Sequence, residues 1–498
     1  MHTVIAGNGI VALSAAFRLA ARSLTGDRIT IVGKTTQPGS GTLAAAAMLN
    51  SFAEIEVDTL ESELGRYRFE LSRLATQMWP HFITDIIQVA GPLLPAGYAT
   101  CLAPGGGCFD RGTYIVNNTA ADQLDDENFD AILTALKQFD EPHDYVSPRD
   151  IPNYKPEQRY RATRAVYIPN EGWLNPRLTL SALEAALASY PHLRVVDDEV
   201  QRFVKSGSRI ESALLEGGGR IEGDKFLLAT GATATDLLRR SDLGIAVQRI
   251  FYGVGVSIEI MSIDHPHTKC IRTPNRGLAC GVYSAPYFVG PDMPHNHILI
   301  GASNHILPDP CYFGRLTAVE SLTRAAIEQI NAGFYSSQLI RVNVGWRPTS
   351  LDTFPVIGTT SIPNLIVATG TKRDGFHLSP LLSQYVTAMI LGEAVDERFA
   401  VFAPERKPIR EYTREGAIAK AVRHQVSVAY QHGFSPSKSR MPEELVEMYR
   451  ADLERLHDRV GAHDWGIPPE MIEVYRKGQA VADGSYPSQG SDTQSFAS

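Results

Sequence analysis

The N-terminal residues alternate between short apolar runs and glycine turns in an order that predicts strand, turn and helix. Val4 to Ala6 form an apolar run, and a helix-prone stretch after the turn reaches Arg22. The turn has G-x-G-x-x-A spacing, with Gly7 at the tight bend and Gly9 where backbone must approach a ligand. Free N–H groups at the start of such a helix bind anions. The pattern therefore predicts a dinucleotide pyrophosphate at Gly7 and Gly9.

The second predicted strand, residues 27–34, ends without the acidic residue that usually binds the adenosine ribose. That residue normally lies about 20 positions beyond the glycines. Gly33 and Lys34 occupy this place. Lys34 could bind a 2′-phosphate, which would indicate NADP, or it could be a solvated residue at a strand end. The first two strands therefore leave FAD and NADP open.

Residues 39–49 form a run of small residues that would let backbone amides contact a bulky ligand closely. Thr42 supplies a hydroxyl that can bond a phosphate oxygen. Alanine is also the best helix former, so a helix buried against the sheet is the alternative. The composition of the run leaves both alternatives open.

Apolar alternation farther along the chain predicts a second domain inserted into the first. Residues 193–204 and 211–232 have the pattern of a β-meander, and an apolar strand ends there at Thr230 and Gly231. Residues 245–302 predict further strands, residues 316–332 a helix, and residues 344–393 the completion of the first domain. The predicted fold class is α/β with an α+β insert. A Rossmann-like domain is interleaved with a mixed β-sheet domain and followed by a helical C-terminal extension.

These patterns also predict the domain boundaries. The nucleotide-binding domain takes residues 1–90, 170–240 and 340–395, and the substrate-binding domain takes residues 91–169 and 241–339. Residues 396–480 form charged amphipathic helices, and residues 481–498 form a polar, flexible tail. The helices could brace the preceding domains, cover a ligand site or form an oligomer contact. We favour a homodimer contact.

Composition and charge exclude several classes of protein. The 498 residues are 44% hydrophobic and 20% charged with a net charge of −8, which is typical of a soluble enzyme. No segment is basic enough to predict nucleic-acid binding. No apolar stretch reaches the roughly 18 residues that a membrane span requires, and the N-terminus lacks the basic leader of a signal peptide. Five cysteines without a C-x-x-C pair predict reduced thiols in a cytoplasmic protein, with neither disulfides nor a metal site.

Three motifs in a fixed order resemble those of one enzyme superfamily. They are Ala46-Ala47-Met48-Leu49, Gly345-Trp346-Arg347-Pro348 and Gly370-Thr371-Lys372-Arg373-Asp374-Gly375. They are similar to the Ala-Gly-Met-Leu run, the Gly-Leu-Arg-Pro turn and the Gly-His-x-Arg-Asn-Gly loop of the D-amino acid oxidase superfamily. The glycine oxidase branch is the most similar, and the resemblance covers about residues 1–395.

The resemblance implies FAD as the cofactor and a ping-pong cycle in which molecular oxygen follows a small amino acid-like substrate. It implies that Arg347 and Arg373 bind the substrate carboxylate and that Tyr287 faces the flavin. With the turn and strand positions above, the predicted cofactor-binding residues are Gly7, Gly9, Ile10, Val11, Gly33, Lys34, Gly41, Thr42, Ala46, Ala47, Met48, Val200, Thr230, Gly231, Gly370, Thr371, Lys372, Arg373, Asp374, Gly375, Phe376 and His377.

Departures from the family pattern leave alternatives at the site. Lys372 lies where relatives have an apolar or aromatic residue, so it could be a catalytic cation beside the flavin or a solvated loop charge. Arg347 and Arg373 could instead form salt bridges with Asp352 and Asp374. No metal site is expected.

Three functions stay open at this point. The first is an FAD-dependent oxidase of an amino acid or N-substituted glycine. The second is a dehydrogenase that passes electrons to a carrier other than oxygen, and the third is a flavin-binding partner protein without activity. Cys311 could tether the flavin covalently, although its position before a predicted helix does not match the tether of relatives.

Overall fold

The computed structural model describes residues 1–287, 290, 296–431, 434 and 440–481, so the predicted tail lies outside the described residues apart from residue 481. The strands are β1 (His2–Ala6), β2 (Arg28–Val32), β3 (Met48–Leu49), β4 (Phe109–Asn117), β5 (Asp144–Tyr145), β6 (Arg164–Leu174), β7 (Leu193–Val196), β8 (Val200–Ser206), β9 (Arg209–Leu215), β10 (Arg220–Glu222), β11 (Lys225–Leu228), β12 (Ile250–Met261), β13 (Cys270–Arg272), β14 (Tyr283–Pro286), β15 (His297–Gly301), β16 (His305–Leu307), β17 (Gln338–Ser350), β18 (Val356–Thr359) and β19 (Leu365–Thr369). The helices are α1 (Ile10–Arg22), α2 (Glu63–Ala90), α3 (Tyr98–Leu102), α4 (Gln123–Gln138), α5 (Pro176–Ala188), α6 (Ala234–Ser241), α7 (Leu316–Gln329), α8 (Ser379–Leu391), α9 (Arg414–Gln431), α10 (Met441–Val460) and α11 (Ile472–Arg476).

A six-stranded sheet in the order β18-β19-β11-β1-β2-β7 contains the glycine turn. Its neighbours are parallel except for β18 and β19. Ile5 packs against α1, α2, α5 and α8 on one face, whereas Val4 packs with the meander β8–β10 and α6 on the other. Because both faces are covered, these strands are continuous apolar runs.

A ten-stranded mixed sheet lies beside the parallel sheet and follows the order β16-β12-β15-β14-β13-β4-β6-β3, with β17 paired to β12 and β5 to β6. The long antiparallel pair β12 and β17 crosses this sheet, and α7 packs against it. The described residues therefore have the predicted α/β class with a mixed-sheet insert.

The C-terminal helices α9, α10 and α11 form one apolar cluster with the body of the protein. Phe251 and Leu351 of the body contact the same cluster as Leu453 and Ile467 of the extension. The extension therefore braces the preceding part of the chain, as one of the three alternatives expected. A homodimer contact stays a prediction.

The expectation of five reduced cysteines is wrong. Cys101 and Cys108 form a disulfide, with their Cα atoms 5.1 Å apart. The glycine-rich loop between them turns back so that Cys108 N donates to Cys101 O at 2.9 Å. An odd cysteine count does not exclude such a local pair. The cysteines therefore do not support a cytoplasmic location, which stays a prediction. In the described ranges, no helix has the length and apolar character needed to cross a membrane.

Candidate active site

A cavity of about 630 Å³ opens where β1, β2, β11 and β19 end. Ligands of open α/β sheets bind at this edge because the loops and helix N-termini meet there. Gly7 makes the first turn with φ +110°, and its N–H donates to Val32 O at 2.8 Å. A Cβ at Gly7 would lie 2.4 Å from Ala229 O, so this turn requires glycine.

The start of α1 has the features of an anion site. The Thr42 hydroxyl accepts a hydrogen bond from Ile10 N at 3.1 Å, which places the small-residue run against the helix N-terminus. Residues 41–44 form turns, so the alternative of a buried helix is excluded. A Cβ at Gly9 would contact Thr42 Oγ1 at 3.4 Å. The two segments therefore leave a narrow polar space for a phosphate group at the helix dipole.

The side chain of Asn8 fills the space where the missing ribose-binding residue would begin. A Cβ at Gly33 would lie 2.3 Å from Asn8 Cγ, and Asn8 Nδ2 donates to Lys34 O at 3.0 Å. Lys34 itself forms ion pairs with Glu216 and, at 3.5 Å, with Glu199. Because Lys34 is neutralised by two carboxylates, this end of the cavity does not favour the 2′-phosphate of NADP.

The structure brings nearly all predicted cofactor-binding residues to this one cavity. Those that line it are Gly7, Gly9, Ile10, Val11, Gly33, Lys34, Gly41, Thr42, Ala46, Ala47, Met48, Val200, Thr230, Gly231, Thr371, Lys372, Arg373, Asp374, Gly375, Phe376 and His377. Gly370 is not among them. Its φ of +70° makes the turn before the loop, and a Cβ there would lie 2.8 Å from Val356 N.

Arg347 lies in the cavity wall without a carboxylate partner among the described residues. Its Nη1 donates to Ser303 O at 2.9 Å and to Asn304 Oδ1 at 3.3 Å. The expected alternative partner, Asp352, instead pairs with Arg406 at 3.0 Å. Burial lowers the pKa of Arg347, as expected for a cation that lacks a counter-charge. An anionic ligand would supply that charge.

Arg373 lines the same cavity and is only loosely paired. Its Nη1 donates to Cys280 Sγ at 3.2 Å and lies 3.9 Å from Glu54 Oε2. The expected alternative partner, Asp374, lies 3.4 Å from Arg68. Burial lowers the pKa of Arg373, but Cys280, Glu54 and neighbouring carboxylates outweigh burial and hold it well above its usual value. The guanidinium is therefore charged and has N–H donors left for a ligand.

Tyr287 does not line the cavity. It is fully buried, its ring packs against His297, and Arg177 lies over it at 5.2 Å. Tyr283 lines the cavity instead. Tyr283 is the first residue of β14, and Tyr287 lies one residue beyond the end of that strand. The tyrosine that was expected to face the flavin is therefore not the one that lines the cavity.

Lys372 is not a solvated loop charge. Its side chain is 12% exposed, and its Nζ lies 2.7 Å from Glu470 Oε1 in the C-terminal extension. Burial lowers the pKa of Lys372, and the Glu470 carboxylate opposes that shift. The extension therefore reaches the loop that lines the cavity. This contact agrees with the alternative in which the C-terminal helices cover a ligand site.

Sequence reasoning missed several lining residues. Asn8 could have been found because it lies between the two glycines of the first motif. Tyr283 could have been found from strand alternation. Glu54 and Cys280, which line the cavity, and Glu470, which pairs with Lys372, have no local sequence signal, because long-range folding alone brings them to the site.

A family model described as FAD dependent oxidoreductase, DAO, matches residues 2–389. The chain belongs to this family. A curated glycine oxidase of Pseudomonas aeruginosa is 30% identical over 252 residues, covering 48% of this chain and 62% of that protein. A bifunctional protein ThiO/ThiG of Trichormus variabilis is 22% identical over 92% of this chain and 62% of its own. The chain thus spans less than two thirds of both relatives.

Solved structures of DAO-like fold agree with the family assignment. Glycine oxidase from Geobacillus kaustophilus has a TM-score of 0.66 and 21% identity, covering 81% of this chain and 98% of its own. Iminodiacetate oxidase from Chelativorans sp. BNC1 has a TM-score of 0.64 and 18% identity, covering 81% of this chain and 99% of its own. The resemblance to the D-amino acid oxidase superfamily is confirmed. The DAO match ends at residue 389, before α9 begins.

FAD, the cofactor of the DAO family, fits the residues at this cavity. The α1 N-terminus with Gly9 and Thr42 suits the pyrophosphate, because no side chain blocks approach and the hydroxyl lies beside it. The loop from Thr371 to His377 lines the same cavity.

His377 is buried with its Nε2 2.7 Å from Thr76 Oγ1, and burial lowers its pKa to about 4. The imidazole is therefore neutral and positions the loop. Cys311 lies outside the lining, so the site offers it no contact as a tether.

Proposed function

We propose that this DAO-family chain is an FAD-dependent oxidase of an amino acid or N-substituted glycine. The observation that supports it is Arg347, a cation in the cavity wall without a carboxylate partner among the described residues, beside the loosely paired Arg373. Two guanidinium groups facing one cavity suit a carboxylate, since each planar fork matches its two oxygens.

FAD, when bound, supplies the acceptor for the hydride that leaves the carbon next to the amine. The chain's own residues bind and orient the substrate. Arg347 and Arg373 hold the carboxylate, which fixes the carbon–hydrogen bond relative to the cofactor. The substrate loses two hydrogens and becomes an imine, water hydrolyses the imine to an oxo acid, and molecular oxygen takes up the two electrons and two protons as hydrogen peroxide. No general base is needed if the amine binds in its neutral form.

Names of similar proteins support this substrate class. Two of the similar proteins are named glycine oxidase and iminodiacetate oxidase. Glycine and iminodiacetate both contain an amine and a carboxylate. A carboxylate anchor would serve primary and secondary amines alike.

The experiment compares anaerobic reduction of the bound flavin by N-methylglycine and by N-methylglycine amide. The wild-type protein is expected to prefer the acid strongly. Arg347→Ala and Arg373→Ala are each expected to bind the acid about tenfold to a hundredfold more weakly, because each loses a charge-assisted hydrogen bond of roughly 1.5–3 kcal/mol. Arg347→Lys is expected to recover only part of the loss, since an ammonium lacks the planar fork.

Arg341→Ala is the matched control, because Arg341 lies on the same strand and is exposed. It is expected to keep the preference for the acid. If Arg347→Ala and Arg373→Ala also keep that preference with flavin bound, the carboxylate binds elsewhere and the proposal is wrong. Slow re-oxidation of the reduced protein in air would instead favour a dehydrogenase that uses another electron carrier. A protein that no amine reduces would favour a partner protein without activity.

A further inference from the structure

A second cavity of about 540 Å³ lies between the body of the protein and the C-terminal extension. Its wall includes Tyr412, Lys420 and Glu470 of the extension. Five residues line both this cavity and the cofactor cavity: Asn50, Glu54, Lys372, Arg373 and Asp374. The second cavity therefore adjoins the cofactor cavity at Arg373, one of the two residues of the proposed carboxylate anchor.

The wall near the anchor has an excess of positive charge. Arg272, which is fully buried, lies 2.5 Å from Glu54, and Arg373 lies 3.9 Å from the same carboxylate. Arg347 has no carboxylate partner among the described residues. Arg272 and Arg373 thus share the single carboxylate of Glu54, and Arg347 has none, so this wall favours a ligand carboxylate.

Residues that line only the second cavity have an excess of negative charge. Glu56 and Asp58 share the single ammonium of Lys420, at 2.7 and 2.8 Å. Glu411 accepts a hydrogen bond from the Ser62 hydroxyl and has no basic partner in the described part of the chain. Burial raises the pKa of the Glu56 carboxyl, but the ammonium of Lys420 beside it holds that pKa well below its usual value. Three carboxylates therefore face one cation.

His424 does not cancel this excess. Its Nε2 lies 3.8 Å from Glu56, but its Nδ1 accepts a hydrogen bond from Leu278 N at 3.1 Å. An imidazole that accepts at one nitrogen is neutral. Three other charged groups of the wall have ion-pair partners: Lys372 pairs with Glu470, Arg68 with Asp374, and Arg423 with Glu127. Glu61, which also lines this wall, adds a further carboxylate.

Glu470 also offers an unused acceptor. Its Oε1 binds Lys372, whereas its Oε2 is buried and has no hydrogen-bond partner among the described residues. A buried carboxylate oxygen without a donor is costly, so a ligand N–H that reached it would be favoured. The apolar groups of Leu71, Leu278 and Phe354 in the same wall suit methylene groups.

From this polarity we propose that the substrate extends into the second cavity and ends there in a cation, an ammonium or a guanidinium. The carboxylate of this substrate binds at Arg347 and Arg373. An alkyl substituent passes between the residues that line both cavities, and the cation at its end lies among Glu56, Asp58, Glu411 and Glu470. The C-terminal extension is then part of the substrate-binding site. This inference rests on the proposed carboxylate anchor.

The test measures binding of thioether analogues to the FAD-loaded protein, because a sulfur in place of the amine nitrogen prevents oxidation. Methylthioacetate, pentylthioacetate, aminopentylthioacetate and carboxybutylthioacetate are titrated while the visible absorption of the bound flavin is followed. The aminated probe is expected to bind about tenfold more tightly than the pentyl probe, and the dicarboxylate more weakly than either.

Glu411→Gln and Glu470→Gln are each expected to remove most of the preference for the amine, and Glu411→Gln is expected to leave methylthioacetate binding unchanged. Glu411→Gln keeps the Lys372–Glu470 pair, so it tests the charge without loosening the extension. The matched control is Glu415→Gln, because Glu415 lies on α9, pairs with Arg450 outside and does not line the cavity.

Equal affinities of the wild-type protein for the pentyl and aminopentyl probes would overturn the inference, as would a preference that both glutamine variants keep. A preference for carboxybutylthioacetate would reverse the sign of the proposed end group and also overturn it. Failure of the carboxylate anchor gives a different result: methylthioacetate would then bind with the same affinity to the wild-type protein and Arg347→Ala.

Discussion

Asn8 and Gly33 lie against each other in the wall of the cofactor cavity, at the end of β2. A Cβ at Gly33 would lie 2.3 Å from Asn8 Cγ, closer than any real contact, so Gly33 leaves room for the amide. The amide in turn holds the end of β2 through Lys34 O. An acidic residue, which usually binds the ribose, is absent at position 33 because the side chain of Asn8 occupies the volume that such a side chain would need.

Gly33→Ala is therefore expected to weaken FAD binding. The methyl group must displace Asn8 at a cost of about 1–3 kcal/mol, which corresponds to a loss of affinity of roughly fivefold to a hundredfold. FAD affinity is measured by recovery of flavin fluorescence on dilution. Asn8→Gly together with Gly33→Ala should bind FAD better than Gly33→Ala alone, because the clash is removed.

Gly91→Ala is the matched control, since a Cβ at Gly91 would meet nothing within 4 Å and its φ is −47°. If Gly33→Ala binds FAD as tightly as this control, Asn8 moves freely and the pairing has no effect on the cofactor.

At the scale of elements, α9 and α10 depend on the body of the protein for their apolar contacts. Leu453 of α10 is fully buried and belongs to the same cluster as Phe251 and Leu351. The ion pair of Lys372 with Glu470 and that of Arg406 with Asp352 attach the same segment. The extension and the body are thus expected to unfold together.

Leu453→Ala tests this cooperativity. The lost contacts and the cavity should destabilise the protein by about 2–5 kcal/mol. The expected result is a single unfolding transition, shifted to lower denaturant, in which flavin release and loss of helix coincide. Val446→Ala on the same helix, where Val446 is 38% exposed, is expected to change little. Two separate transitions for Leu453→Ala would show that the extension folds on its own.

At the scale of the whole molecule, buried neutral histidines make stability depend on pH. His267 is 1% exposed with its Nδ1 2.8 Å from Ser284 Oγ, and burial lowers its pKa from 6.5 to about 4. The folded-state pKa lies below the unfolded value, so neutral His267 contributes fully to the free energy of unfolding above pH 6.5. That contribution falls as the pH drops from 6.5 and is lost once the pH passes through 4. The loss amounts to about 3 kcal/mol for this one group.

His267→Gln should therefore flatten the fall in unfolding free energy between pH 6.5 and 4, measured by urea denaturation. His463→Gln, at a side chain that is 71% exposed, should leave the curve unchanged. Parallel curves for His267→Gln and the wild-type protein would mean that His267 is already charged in the folded state.

Local pattern was enough to predict the fold class and the glycine turn. Gly7, Gly9 and Thr42 could be placed because turn geometry and close backbone approach depend on a few adjacent residues. The resemblance to the D-amino acid oxidase superfamily implied most of the other cofactor-binding residues and the pair of Arg347 with Arg373, and the structure brings both arginines to one cavity. Strand register was not predictable to the residue, so Tyr287 was expected where Tyr283 lies.

The sequence by itself determined the alternation of apolar strands and helices, the glycine turn and the motif order, because these depend on neighbours along the chain. Tertiary structure alone decided which distant charges meet. Lys372 and Glu470 lie far apart in sequence yet form a buried pair, and Cys101 meets Cys108 only because a loop folds back. Ion pairs and cavity walls are set by long-range packing, and residue type says nothing about which partner that packing will supply.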